Sequence, residues 1–246
     1  LYMARRRFFV DQVVDGQAEM SGDDAHHLAR VLRVLTGQKF EITDSRSVWL
    51  ATVTEVRKSV VRFSVDEELE SGGGLPEVTL YLALIKFDRF EWAVEKATEL
   101  GVTRIVPVDA ARTEQGLLQG ATKRVERWRR LAKEASEQSR RLRAPQIDDP
   151  LKFAVAVRQP VNHRIWLDEK PGAPALVRAL HLQAGDVTAF AVGPEGGWSD
   201  PERSQFAEQG WTGASLGSSV LRAETAVCAA LAVFAQLALT LPLQSS

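Results

Sequence analysis

From Val187 to Thr225 the chain passes through a buried-strand pattern, a glycine turn, a helix start, a short strand and a second glycine loop, an order that few architectures accommodate. Val187-Thr188-Ala189-Phe190-Ala191-Val192 has the length and the β-branched, aromatic bias of a buried strand. It stops at Gly193-Pro194-Glu195-Gly196-Gly197, whose glycines permit positive φ and a close approach of ligand to backbone. Ser199-Asp200-Pro201-Glu202 then spells a helix start: Ser199 and Glu202 are spaced as a capping box, while Pro201 at the first helical position would make Asp200 the cap. Thr212 to Ser219 supplies a strand and a Gly/Ser-rich loop, and Arg222, Glu224 and Thr225 open a long apolar helix. Loops of this kind in an open α/β sheet lie side by side at the carboxyl ends of the strands, where ligands bind. Taken singly, a glycine turn after a strand is an ordinary connector, and one before a helix is a general anion site. The phosphate-loop pattern ending in Gly-Lys-Ser/Thr and the Gly-x-Gly-x-x-Gly spacing are both missing from the sequence, which disfavours a nucleotide hydrolase or a dehydrogenase.

The rest of the chain falls into two rhythms. Up to about Leu69 it is strand-rich, with Arg7 to Val10 opening it and Lys39–Thr43, Ser47–Val56 and Ser59–Asp66 alternating as antiparallel strands. Between them, Asp23 to Leu35 predicts one helix with Leu28, Val31, Leu32 and Leu35 on one side and Arg30 and Arg33 on the other. This is a small β-domain, expected to close as a barrel. Ser71-Gly72-Gly73-Gly74 before Pro76 reads as a linker, so the domains are expected at 1–72 and 77–246. Beyond it strands alternate with helices, the sign of a parallel sheet and an α/β domain. Val78 to Ile85, Arg104 to Val108 and Arg164 to Asp168 read as strands. Asp88 to Leu100, 119–143, Leu151 to Val157, Ala173 to His181 and Ala223 to Leu239 read as helices. The last is apolar nearly all round and is therefore expected to be buried, within the monomer or in a subunit interface.

At 246 residues with a formal net charge of −1, the chain can build a large core, but any nucleic-acid contact must come from local patches. Two such patches exist. Lys123, Arg124, Arg127, Arg129, Arg130, Lys133, Arg140, Arg141 and Arg143 crowd one helix, where a solvated face would more often mix signs. Arg7, Arg30 and Arg33 lead a second group in the β-domain, suited to phosphates. Cys228 stands alone, so no internal disulfide forms, and no Cys/His cluster has metal-ligand spacing. His26 and His27 point about 100° apart on a helix and cannot share one metal. No metal is expected. The basic N-terminus precedes too short an apolar run for a signal peptide, and Ala226 to Leu241 is shorter than a membrane span, so a cytoplasmic protein is expected.

Several segments, taken in order, resemble a known family: Arg7-Phe8-Phe9, His27-Leu28-x-Arg30-Val31-Leu32-Arg33, Glu95-Lys96-Ala97-Thr98-Glu99-Leu100-Gly101-Val102, Ser136-Glu137-Gln138-Ser139 with Arg141 and Arg143, Gly193-Pro194-Glu195-Gly196-Gly197, and Leu216-Gly217 through Val220-Leu221-Arg222-x-Glu224-Thr225. The sequence resembles the RsmE family of 16S ribosomal RNA uridine N3-methyltransferases, of the SPOUT superfamily. The resemblance implies an N-terminal PUA-like β-barrel for RNA, a C-terminal α/β domain with a parallel sheet tied in a trefoil knot, and a homodimer acting on the small ribosomal subunit. It implies S-adenosylmethionine as methyl donor, held by Leu167, Asp168 and Glu169, by Gly193, Pro194, Glu195, Gly196 and Gly197, and by Leu216, Gly217, Val220 and Leu221. Arg140 stands where the family commonly has glycine, and Phe87 follows Lys86 where a small residue is usual.

Methylation at uracil N3 needs in-line approach and loss of the N3 proton, which a nearby cation favours and a carboxylate accepts. Arg222 and Glu224 are the candidates, with Thr225 as hydrogen-bonding neighbour; a salt bridge with a cap at the start of a helix is the plain alternative for this trio. Arg112, at a strand end, and Arg141 and Arg143, after the basic helix, are candidates for substrate contacts. Methylation at uracil C5 usually calls for a cysteine nucleophile, and Cys228 lies inside the apolar helix. Two rivals remain: transfer to another atom such as a ribose 2′-hydroxyl, and a non-catalytic RNA-binding or ribosome-assembly factor.

Overall fold

The computed structural model describes residues 6–70, 76–170, 172–183 and 185–240. The chain divides into two compact units, one of residues 1–73 with 136–143 and one of 74–135 with 144–246. The expected linker Ser71 to Gly74 lies outside the described residues, as do Pro171 and Leu241.

In the N-terminal unit, strands β1 (Arg7–Phe9), β2 (Val13–Val14), β3 (Gln17–Ser21), β4 (Lys39–Thr43), β5 (Val48–Val56) and β6 (Val60–Leu69) form one sheet in the order β1-β4-β5-β6-β3-β2. Only β1 and β4 run parallel. Alternation decides which side is buried: Ala18 and Met20 of β3 face in with Phe8, Ile42, Val53 and Phe63, while Gln17 and Glu19 face water. Two register shifts between β5 and β6, at Leu50/Ala51 and Val53/Glu55, add twist of the kind that bends a sheet. The sheet curls as a half-barrel, and its edge strands β1 and β2 are not paired with each other.

The helix expected over Asp23 to Leu35 is shorter. It runs as α1 (Gly22–His26) into a π-helical turn, His27–Val31, and ends where Arg33 takes φ 51°. The widened turn rotates the later residues off the inward face. Leu28 is buried, but Val31 and Leu35 are 63% and 64% exposed.

In the C-terminal unit every sheet pairing is parallel. The chain order is β7 (Val78–Ala83), α2 (Phe87–Glu99), β8 (Arg104–Asp109), α3 (Leu117–Thr122), α4 (Val125–Gln138), β9 (Gln146–Ile147), β10 (Leu151–Lys152), α5 (Phe153–Ala156), β11 (His163–Leu167), α6 (Leu176–Ala179), β12 (Thr188–Val192), α7 (Asp200–Glu208), β13 (Thr212–Ala214) and α8 (Ala223–Ala238). The sheet order is β10-β8-β7-β12-β11-β13, with β9 beside β8. Both faces are covered, so β7 and β12 are buried at every residue, as the continuous apolar runs predict. Leu80, Leu82, Phe190 and Val192 point to the side of α2, α4 and α8, where Phe90, Trp128, Leu231 and Phe234 pack. Tyr81, Ala83, Ala189 and Ala191 point the other way, to Phe153, Trp198, Phe206 and Trp211.

The single helix expected over 119–143 is two helices, broken at Lys123 and Arg124, and its last residues leave the helix before Arg140, which has φ 58°. That left-handed backbone is the reason glycine suits position 140. Phe87 is accommodated by a neighbouring absence: a Cβ at Gly120 would stand 2.7 Å from its ring, and the Arg124 guanidinium lies 4.4 Å from the ring centre. Leu151 and Lys152 pair as a strand before the short α5, and α6 holds one turn rather than Ala173 to His181. The last helix matches its expected span, but Thr225, Ala232 and Gln236 are exposed along one stripe, so burial within the unit is incomplete.

Candidate active site

The carboxyl ends of β11, β12 and β13 deliver three loops to one cavity of about 310 Å3, the lower end of the roughly 300–1,000 Å3 usual for small-molecule sites. Leu167, Asp168 and Glu169 come from the first loop, Gly193 to Trp198 from the second, and Ser215, Leu216, Gly217, Ser219, Val220 and Leu221 from the third. Every residue assigned to the donor from sequence therefore lines one space. Arg222, Ala223 and Ala226 complete the wall at the start of α8.

Local chemistry explains why the loops hold their shape. In the glycine turn, the Gly197 N–H donates to the Pro194 carbonyl at 2.8 Å, and Gly197 has φ 66°, a conformation a side chain would strain. A Cβ there would also stand 2.5 Å from Glu169 Oε1, the far end of a flexible side chain that can move, so it is the backbone conformation that calls for glycine. Helix α7 starts on the expected capping box: Ser199 Oγ accepts from the Glu202 N–H, and the Ser199 N–H donates to Glu202 Oε2 at 2.8 Å. Glu202 is buried, and its other oxygen accepts from the Ala111 N–H at 2.8 Å, which pins the loop after β8 to the same helix start. Arg112 of that loop donates through Nη1 to the Gly196 carbonyl at 2.5 Å, so this candidate RNA contact is engaged with the glycine turn.

Arg203 ties the first loop to the second. Its Nη2 donates to Asp168 Oδ1 at 3.0 Å and Glu169 Oε1 at 2.8 Å, and its Nη1 donates to the Trp198 carbonyl. Burial pushes the Asp168 carboxyl up, but the hydrogen bonds from Arg203 and the Lys170 N–H outweigh it and hold the group below its ordinary value. Trp198 is buried against Gly193, where a Cβ would come within 3.2 Å of the indole. Phe206 props it from behind, ring centres 4.9 Å apart. Sequence reasoning missed Arg203, Trp198 and Arg89. A usable signal existed for the two arginines: each sits in the first turn of a helix, where the macrodipole disfavours a cation unless carboxylates answer it.

The trio at the start of α8 separates. Arg222 is exposed at the cavity wall and, among the described residues, forms no ion pair. Glu224 does not bond to it. Instead Glu224 faces Arg89 of α2, Nε to Oε1 at 4.0 Å, and its buried Oε2 has no hydrogen-bond partner among the described residues. Thr225 is exposed. Cys228 is half-buried in α8, and burial pushes its thiol up.

The remaining arginines differ in what they leave free. Arg7 is consumed by the buried Glu41 at 2.9 Å, and Arg140 grips the same carboxylate. Arg143 donates to the Ser45 carbonyl at 2.7 Å, and burial pushes Arg141 down to about 10. Arg129 donates to the Ile147 carbonyl at 3.0 and 3.1 Å. Arg30, Arg33 and Arg130 are exposed.

The RNA methyltransferase domain model matches residues 74–235, and the RNA methyltransferase PUA domain model matches residues 21–66. Ribosomal RNA small subunit methyltransferase E of Synechocystis is 33% identical, covering 90% of this chain and 74% of that protein. Its counterpart in Bacillus subtilis is 32% identical, covering 86% and 87%. Among solved structures, the enzyme of that name from Neisseria gonorrhoeae bound to S-adenosylmethionine superposes with a TM-score of 0.85 at 27% identity, over 95% of this chain and 98% of that one. The chain belongs to the family of ribosomal RNA small subunit methyltransferase E, and its C-terminal unit is an RNA methyltransferase domain.

Proposed function

We propose that the protein transfers a methyl group from S-adenosylmethionine to N3 of a specific uridine in 16S ribosomal RNA. The observation that carries this reading is the single cavity in which all three strand-end loops meet, with Arg222 on its wall. The residues fit the donor. Gly193, Gly196 and Gly197 line the cavity, their missing Cβ atoms leaving room for Trp198, Arg112 and Glu169 against the turn, and the buried Trp198 Nε1 has no hydrogen-bond partner among the described residues. Leu167, Leu216, Val220 and Leu221 supply apolar walls, and Asp168, Glu169 and Glu195 bring negative charge to a cationic ligand.

When bound, S-adenosylmethionine supplies an electrophilic methyl group on a sulfonium sulfur. The chain's own work is to position the uracil and manage one proton. Arg222 stabilises negative charge developing on the ring, which favours loss of the N3 proton. Glu224, whose buried Oε2 has no hydrogen-bond partner among the described residues, would accept that proton as the nitrogen–carbon bond formed and the methyl's bond to sulfur broke. The loops exclude water and hold the reacting groups in line, the main contribution protein can make to such a transfer.

The reading extends to residues 1–72 as an RNA-binding domain and 77–246 as the catalytic domain, with Arg30, Arg33 and Arg130 as exposed phosphate contacts. It extends also to a cytoplasmic homodimer with a trefoil knot; the exposed stripe of Thr225, Ala232 and Gln236 on α8 supports the dimer. Mass spectrometry of nucleosides after incubation with unmodified small ribosomal subunits and donor tests the reaction. Formation of 3-methyluridine is the expected result. A ribose-methylated uridine, or no methylation, overturns it.

A further inference from the structure

Arg89 occupies the third position of α2, the helix that follows β7, and β7 lies beside β12 in the sheet. Its guanidinium therefore reaches the glycine turn that follows β12. Nη1 donates to Glu195 Oε1 at 3.3 Å, and Nε lies 4.0 Å from Glu224 Oε1. A cation in the first turn of a helix opposes the macrodipole, and these two carboxylates offset it. They differ in setting: Glu195 lines the cavity and is half exposed, whereas the Glu224 side chain is 14% exposed. No other cation forms an ion pair with Glu224 among the described residues.

We infer that Arg89 is a positioning residue that links the cavity to Glu224 through Glu195, an inference that rests on the methyl-transfer reading above. The two carboxylates compete for one guanidinium. Its bond to Glu195 is long and its approach to Glu224 stops short of hydrogen-bond distance, so neither holds it fully. A ligand in the cavity that engages Glu195 releases Arg89 to close on Glu224, which orients that carboxylate for the proton it takes. Occupation of the cavity and readiness of the proton acceptor are thereby coupled.

The experiment is a double-mutant cycle on the full-length protein with small ribosomal subunits, reading kcat and KM together with S-adenosylmethionine affinity by calorimetry. Arg89→Gln is expected to lower kcat by about 100-fold, the lower range for a general-base contribution, while donor affinity changes far less. Arg89→Lys is expected to recover much of kcat because it keeps the charge. In a Glu224→Gln background, Arg89→Gln is expected to cost little more, since both act in one unit. Equal losses from Arg89→Gln in both backgrounds, a Lys variant as slow as the Gln variant, or a fall in donor affinity matching the fall in kcat would each overturn the inference while leaving the reaction standing. A wild-type protein that forms no 3-methyluridine overturns both.

Discussion

Arg203 holds Asp168 Oδ1 with two nitrogens along one edge of its guanidinium, Nε at 3.3 Å and Nη2 at 3.0 Å, and thereby clamps the loop after β11 to α7. Both side chains are nearly buried, so removing the cation leaves a carboxylate poorly solvated. Arg203→Met is expected to destabilise the C-terminal unit by about 1–3 kcal/mol at neutral pH, the scale of a charge-assisted hydrogen-bond loss. The pH dependence has a defined sign. The Asp168 carboxyl lies below its ordinary value in the folded state, because the bonds from Arg203 and the Lys170 N–H outweigh burial. Its stabilisation is complete above the unfolded value of about 4 and is lost as pH falls through the lower folded value. Denaturation of wild type and variant should show a gap that is constant from neutral pH to about 5 and narrows below 4; a gap that widens in acid would refute this.

The glycine turn invites a paired comparison. Gly197 has φ 66°, so Gly197→Ala meets backbone strain, while the nearest atom to its new Cβ, Glu169 Oε1, is a side-chain tip that can move aside. The left-handed conformation alone costs an alanine about 1–2 kcal/mol, and donor affinity should fall by roughly tenfold as the turn shifts. At Gly196 the nearest atom to a new Cβ is Arg112 Cδ at 3.2 Å, on a flexible side chain that can move. Gly196→Ala should therefore bind donor more tightly than Gly197→Ala. Calorimetry of both variants gives the answer, and the reverse order would remove the claim that Gly197 sets the turn.

What could be read in advance follows from which interactions are local. The capping box at Ser199 and Glu202, the buried run before Gly193 and the span of α8 depend on residues close in sequence, and the structure keeps them. The half-barrel's pairing of β4, β5 and β6 is likewise written in alternation. By contrast, the π-helical turn at His27–Val31 follows from how Leu28 and Val34 pack into the small sheet, and periodicity alone extends that helix too far. The break at Lys123 and Arg124 is equally silent, since neither residue is a helix breaker. Arg89 and Arg203 matter through partners roughly 35 to 135 positions away, which spacing cannot reveal. That two of the loops lining the cavity follow strands was legible because glycine turns after strands mark themselves; that Arg7 pairs with Glu41 was not, because the partner stands on a neighbouring strand 34 positions away.

That ion cluster makes its own prediction. Glu41 is buried and held by Arg7 of β1 and by Arg140 beyond α4, so Glu41→Ala leaves two guanidinium groups around an unanswered cavity. A loss of about 3 kcal/mol in the stability of the N-terminal unit is expected, the lower part of the range for breaking a buried pair. Arg7→Gln should likewise lower stability while leaving the salt dependence of RNA binding unchanged. Chemical denaturation and binding titrations at several salt concentrations separate the two effects; a shallower salt slope without a stability loss would return Arg7 to the RNA-contacting set.

The same logic divides the adjacent pair on α4. Both are exposed, but Arg129 spends its guanidinium on the Ile147 carbonyl and on Glu126, whereas Arg130 forms no ion pair among the described residues. A phosphate contact contributes about one counterion, so each one lost flattens the plot of log affinity against log salt by about 1. Arg130→Gln should flatten it by that amount at unchanged stability and unchanged donor affinity. Arg129→Gln should leave the slope alone and lower stability, because the Ile147 carbonyl loses its donor. Binding of small-subunit RNA measured from low to physiological salt distinguishes them, and an unchanged slope in the Arg130 variant would remove this face of α4 from the RNA-binding surface.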